Sequence, residues 1–127
     1  MFTLEFYEAP NKIIPLEEFL NDLKRKDKSL FAKVLRDMEL LESKGNLLRE
    51  PYTKPIDDGI FELRTKQHNN IVRVSFFFVV GKKIILTHGF IKTTEKTPKS
   101  EIEKAKEYKR EYEGRKKWNF QIIKKKL

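Results

Sequence analysis

The chain has 127 residues, 39% of them hydrophobic and ten of them Phe, a length that suits one domain and a composition that excludes wholesale disorder. It contains no cysteine, which excludes a disulfide scaffold, a thiol nucleophile and a zinc site built on thiolates. Its net charge of +9 is unevenly placed: residues 1–50 hold nine basic and ten acidic residues, residues 51–127 nineteen and nine, as suits a surface facing phosphates or an acidic partner.

Residues 2–7 alternate apolar and polar and predict a short strand. Pro15 suits a first helical position, and Leu16, Phe19, Leu20 and Leu23 then mark one face of a helix. The run KRKDK at 24–28 predicts a solvated joint. Helical spacing resumes through Leu30, Phe31, Val34, Leu35, Met38 and Leu41 up to a stop at Gly45, so the two helices form a hairpin. Residues 46–59, with Pro51, Pro55 and Gly59, are expected to be loop. Residues 60–66, 71–80 and 83–91 are rich in Ile, Val, Phe and Thr and predict three strands, joined by turns at 68–70 and 81–82. Thr97-Pro98 resembles a helix cap, and Ile102, Ala105, Tyr108 and Tyr112 give a one-sided helix ending at Gly114.

The order strand, helix, helix, three strands, helix predicts an α+β domain over 1–114. Its helices are expected on one face of a four-stranded, mainly antiparallel sheet. The basic tail 115–127 follows, where Trp118 and Phe120 are available to stack on RNA bases if it is more than a solubilising end. No apolar stretch approaches the ~18 residues of a membrane span, and no basic start with an apolar run opens the chain, so a cytoplasmic protein with no membrane partner is expected.

Strand alternation sorts the polar residues. Glu62, Arg64 and Lys66 fall opposite Phe61 and Leu63, and Arg73 and Ser75 fall opposite Val72, Val74, Phe76 and Phe78. Neighbouring strands thus each place an Arg on the outer face, where a planar guanidinium can meet a phosphate bidentately, although cross-strand pairing is the commoner role. His88, Lys92, Lys96 and Lys99 gather cations at the end of the third strand of the meander and the start of the last helix. His88 is expected on one face with Leu86 and Phe90, where a satisfied structural histidine is the plain alternative. His68 falls in a turn. Two histidines make no metal site, so neither metal nor cofactor is expected. Glu101, Glu103, Glu107, Glu111 and Glu113 interleave with lysines as on a solvated helix face.

Together these residues resemble a known family. Lys54-Pro55-Ile56-x-x-Gly59-Ile60-Phe61-Glu62-Leu63-Arg64, Val72-Arg73-Val74, His88-Gly89-Phe90-x-Lys92 and Lys96-Thr97-Pro98-x-x-Glu101-Ile102-x-x-Ala105 are similar to the RelE/ParE superfamily toxins, in their phage-derived HigB-like branch. Pro15-Leu16-Glu17-Glu18-Phe19-Leu20 is similar too, and the likeness spans about residues 2–113 in that family's β-α-α-β-β-β-α order. The resemblance implies a toxin of a type II toxin–antitoxin pair: a metal-independent endoribonuclease that cuts mRNA on the ribosome. It also implies a helix-turn-helix, HigA-like antitoxin, with operator DNA reached only through that antitoxin. It implies catalytic roles for Arg73, Lys92, Lys96 and His88, and phosphate contacts from Arg64, Lys66 and Lys99. Thr93 stands where the branch usually has a second Lys. A ParE-like, non-catalytic inhibitor of DNA gyrase shares the fold and is the alternative. A generic basic nucleic-acid-binding domain would explain the charge but not the pattern at 54–105.

Overall fold

The computed structural model describes the backbone of residues 1–126 and the side chains of residues 1–115, 124 and 125. Strand β1 (Thr3–Phe6) leads to helices α1 (Pro15–Lys26) and α2 (Lys28–Lys44). Strands β2 (Thr53–Asp57), β3 (Ile60–Gln67), β4 (Asn70–Val79) and β5 (Lys83–Lys92) follow, and α3 (Lys99–Lys126) closes the order.

Helix α1 starts with Pro15 at its first turn, carries Glu17 and Glu18 there and Lys24, Arg25 and Lys26 in its last turn. Both ends therefore complement the helix dipole. Asp27 is the joint foreseen in the KRKDK run. Its N–H donates to the Leu23 carbonyl at 2.7 Å, and its carboxylate accepts from the Leu30 N–H at 3.1 Å, ending α1 and capping α2 with one residue. Gly45 ends α2 at φ 52° with the Phe2 ring packed where a Cβ would stand, so the stop needs glycine for both conformation and space.

The sheet has five strands in the order β1-β5-β4-β3-β2 and is mixed, which corrects the expected four-stranded arrangement. Strand β1 runs parallel to β5, with Thr3 opposite Lys83 and Phe6 opposite Leu86. The additional strand is β2, drawn from the segment expected to be loop. It pairs antiparallel with β3 at the sheet edge, where Pro55 is tolerated beside a register shift.

The two faces of the sheet are covered differently. Leu16, Leu20, Leu23, Leu30, Val34, Met38 and Leu41 of α1 and α2 bury one face against Leu63, Val72, Val74, Phe76, Ile84 and Leu86. Helix α3 does not join them, contrary to the expectation of helices on one face only. It crosses the opposite face, where Tyr108 and Tyr112 pack on Tyr7, Phe77 and Ile85. Tyr7 donates its hydroxyl to Glu111 at 2.6 Å, and Arg115 donates to the Glu8 carbonyl at 2.9 Å, fixing the helix along this face. The helix also runs past Gly114, where its end was expected, to Lys126. Glycine lowers helix propensity by only about 1 kcal/mol and does not by itself end a helix.

A bulge in β5 decides the candidate site. Leu86 pairs with Phe76 and Gly89 with Val74, so Thr87 and His88 together oppose Ser75. The extra residue reverses the alternation. Gly89 therefore falls on the α1 side, against Phe19, while His88 and Phe90 fall on the α3 side. His88 shares a face with Phe90 as expected, but not with Leu86.

Candidate functional site

Strands β3 and β4 set Glu62 opposite Ser75, Arg64 opposite Arg73 and Lys66 opposite Ile71, and on β5 Phe90 lies opposite Arg73. The polar residues of the α3 side are thus one cluster. Two arginines stand directly across from each other on adjacent strands, an arrangement that charge repulsion disfavours unless something compensates.

The compensation is visible. The Glu62 carboxylate is 1% exposed and accepts from Arg64 Nε at 3.1 Å and from the Thr97 hydroxyl at 2.7 Å. Arg64 Nη2 donates to the Glu95 carbonyl at 2.7 Å, and its Nη1 donates to the Glu95 carboxylate at 3.3 Å. Arg73 donates through Nη1 to the Lys96 carbonyl at 3.3 Å and through Nη2 to the Thr94 carbonyl. Its Nε is buried with no acceptor, and its guanidinium lies 6.0 Å from the Phe90 ring centroid. Burial pushes the Arg73 guanidinium below its ordinary value, Glu62 opposes that shift, and the Arg64 charge adds to it.

The arginines are consequently not open on a bare sheet face, as alternation alone suggested. Arg73 is 0% and Arg64 7% exposed, because the β5–α3 connection lies over them. Thr97, expected to cap α3, sends its hydroxyl to Glu62, and the first turn is closed by the Pro98 carbonyl, which accepts from Glu101 and Ile102.

His88 is buried, with Nε2 3.1 Å from the Glu101 carboxylate and Nδ1 3.1 Å from the Thr87 hydroxyl, which also lies 3.2 Å from the Ser75 carbonyl. Its ring packs against Phe90 and Tyr108. Burial pushes its pKa below the usual histidine value, and Glu101 works against that shift. Both nitrogens are engaged, the geometry of a histidine that fixes the start of α3 to the sheet. Glu101 is therefore half-buried on a histidine rather than part of a solvated face.

The lysines are different. Lys66, Lys92, Lys96 and Lys99 are all exposed. Lys66 donates to the Glu95 carboxylate at 2.9 Å, and that hydrogen bond holds Glu95 below the usual carboxylate value. A cleft of about 200 Å³ opens here, lined by Thr53, Lys54, Arg64, Lys66 and Glu95 among others. It adjoins a groove of about 560 Å³ that adds Lys33, Arg36 and Tyr52.

The structure thus brings Arg64, Arg73, Lys66 and the 93–98 segment together, sets His88 beside Phe90, and leaves Lys92, Lys96 and Lys99 around the exposed margin. Sequence reasoning missed Glu62, Glu95 and Thr97. Glu62 carried one readable signal, a carboxylate two residues before Arg64 on the same strand face. His68 is an exposed turn residue at φ 56°. The stacking expectation for Trp118 and Phe120 lies outside the described residues. Among the described residues, no helix is long and apolar enough to cross a membrane, and no three His, Asp or Glu side chains converge as metal ligands would.

A family model described as phage-derived protein Gp49-like (DUF891) matches residues 18–110, 93 of the 127 residues. No curated protein matches the chain.

Proposed function

The chain belongs to the phage-derived Gp49-like family, a RelE-like toxin family of type II toxin–antitoxin systems, and on that premise we propose that it is a HigB-like toxin that cuts mRNA on the translating ribosome. The observation that carries the reading is the register pairing of Arg64 with Arg73, held by Glu62 and surrounded by exposed Lys66, Lys92, Lys96 and Lys99. Stability alone disfavours two facing guanidinium groups, and such a pair is what a phosphodiester in a transition state requires.

Cleavage without a metal has three chemical demands. The 2′-hydroxyl loses its proton and attacks the adjacent phosphorus, the extra negative charge is stabilised, and the departing 5′-oxygen gains a proton. Arg64 and Arg73 supply the fixed positive charge. Lys92 and Lys96, exposed beside them, are the groups free to exchange protons with the substrate. His88 orients the start of α3 and does so through Glu101. An antitoxin partner follows from the family, and a helix-turn-helix protein that meets this margin with acidic groups fits its charge. Operator DNA would be reached only through that partner.

One observation favours a second reading. The burial of Arg73 and His88 suits a domain that binds without chemistry, as a ParE-like gyrase inhibitor does.

Primer extension on an mRNA in a reconstituted translation system separates the readings. New 3′ ends within codons, only during translation, are expected from the wild type, with Lys92→Ala lowering the single-turnover rate by roughly 10²-fold. Intact message together with inhibited gyrase supercoiling would replace the nuclease with the gyrase inhibitor, and cutting of naked RNA would remove the ribosome from the reading.

A further inference from the structure

We propose that the β5–α3 connection, residues 93–98, is a strap that fills the arginine pair with acceptors from the chain itself, and that the Glu95 carboxylate is the anion a phosphodiester displaces. The inference rests on the reading of Arg64 and Arg73 as phosphate-binding groups and adds the regulation of that site.

A guanidinium offers its N–H groups in a planar fork, which a phosphate meets with two oxygens at once. Here the strap supplies the oxygens. The carbonyls of Thr94 and Lys96 take Arg73, and the carbonyl and carboxylate of Glu95 take Arg64. The Thr97 hydroxyl anchors the far end of the strap to Glu62, itself bonded to Arg64. The strap is therefore attached to the two phosphate-binding arginines, to the carboxylate that holds one of them, and through Glu95 to Lys66.

The strapped state is incompletely satisfied. Arg73 Nε is buried with no acceptor, and an unpaired buried donor is costly. A phosphate oxygen arriving with the strap open gives that donor a partner, so the open, loaded site meets a demand that the closed site does not.

Glu95 lies at the outer end of this stack. Its side chain is 67% exposed while Arg64 beneath it is 7% exposed, and it bridges Arg64 and Lys66 along the wall of the 200 Å³ cleft. Both Glu95 and Arg64 line that cleft, and Glu95 offers much the more exposed side chain of the two. Apparent affinity then equals intrinsic affinity scaled by the open fraction, and anything that weakens the strap raises it.

The test uses the full chain and a labelled single-stranded RNA with 2′-O-methyl groups throughout, which cannot be cut. Fluorescence anisotropy is measured for wild type, Glu95→Gln, Glu103→Gln and Lys99→Ala, with amide exchange followed across 93–98; Lys99 is exposed on the first turn of α3. Glu103→Gln removes the same charge from an exposed position on α3 and controls for net charge. The expected result is about three- to fivefold tighter binding by Glu95→Gln than by Glu103→Gln, the range an exposed ion pair supports, with faster exchange at residues 94–97. Equal or weaker binding by Glu95→Gln, or unchanged exchange, overturns the strap while the phosphate reading stands on the weaker binding of Lys99→Ala. Lys99→Ala binding as wild type does, or no binding by any form, overturns the phosphate reading, and the strap falls with it.

Discussion

Replacing Glu62 by Ala tests whether the paired arginines depend on one carboxylate. The substitution removes the partner of Arg64 Nε at 3.1 Å and of the Thr97 hydroxyl at 2.7 Å, in a place where all three residues are buried. It also removes the negative charge that opposes the Arg64–Arg73 repulsion, leaving two guanidinium groups with only carbonyls and the outlying Glu95. Breaking a buried pair costs about 3–5 kcal/mol, a large share of a stability on the order of 5–15 kcal/mol. With a urea slope near 2 kcal/mol per molar, the unfolding midpoint should fall by roughly 1.5–2.5 M at unchanged slope. The double variant Glu62→Leu/Arg64→Met removes both charges of the pair and should recover roughly half of that loss. A Glu62→Ala midpoint within about 0.3 M of wild type would refute the account, since the carboxylate would then hold nothing that water does not replace.

Gly89 faces α1 through the bulge, and an added Cβ would meet the Phe19 ring at 2.6 Å, so Gly89→Ala should cost about 1–3 kcal/mol by denaturant unfolding. Tyr7→Phe leaves the ring stack on Tyr108 but loses the 2.6 Å hydrogen bond to Glu111, which keeps Arg115 as a partner; a loss of about 1–2 kcal/mol is expected, with faster amide exchange in α3 around residues 108–112. His88 is pushed below its ordinary value of 6.5 by burial, so the unfolded chain takes up a proton that the folded one refuses. Stability should therefore hold above that value and fall as pH drops below it, by at most about 1.4 kcal/mol per pH unit, and His88→Gln should abolish the slope. Glu95 and Glu111, held below 4.5 by Lys66 and Arg115, lose their contribution only in a more acid range, which keeps the two effects apart.

The legible parts of the fold were those that a short stretch of chain decides. The α1 stripe, the α2 stripe apart from Leu35, which is exposed, the Asp27 joint and the Gly45 stop each follow from residues within one or two turns. Which face of β3 and β4 is polar follows from simple alternation. Strand β2 was illegible because Pro51, Pro55 and Gly59 mark a break, while its pairing depends on β3 across the sheet edge. The placement of α3 was illegible for the opposite reason. Its stripe of Ala105, Tyr108 and Tyr112 states that one side is buried, not which sheet face receives it. The β5 bulge hides best of all. His-Gly-Phe alternates as any strand does, and the extra residue shows only when Ser75 is found opposite both Thr87 and His88. At the candidate site the cation-bearing positions were readable from type and spacing. Their burial was not, because it is imposed by a connection whose own residues, Thr94 to Thr97, look like loop.

The charge asymmetry of the sequence therefore divides into two populations with different physics. Lys66, Lys92, Lys96 and Lys99 are exposed, and their field reaches out only over about a Debye length, near 8 Å at physiological salt. Such charges set how quickly a polyanion arrives and how strongly arrival depends on salt. Arg64 and Arg73 lie beneath the strap, shielded from salt, and contribute little until the connection opens. An oligonucleotide that has only reached the lysines should show a steep salt dependence and indifference to Glu95. One that has reached the arginines should dissociate slowly, and the salt sensitivity of that dissociation should be weaker than that of its association. Measuring the two rates separately across ionic strength distinguishes a molecule that merely attracts phosphates from one that opens to hold them.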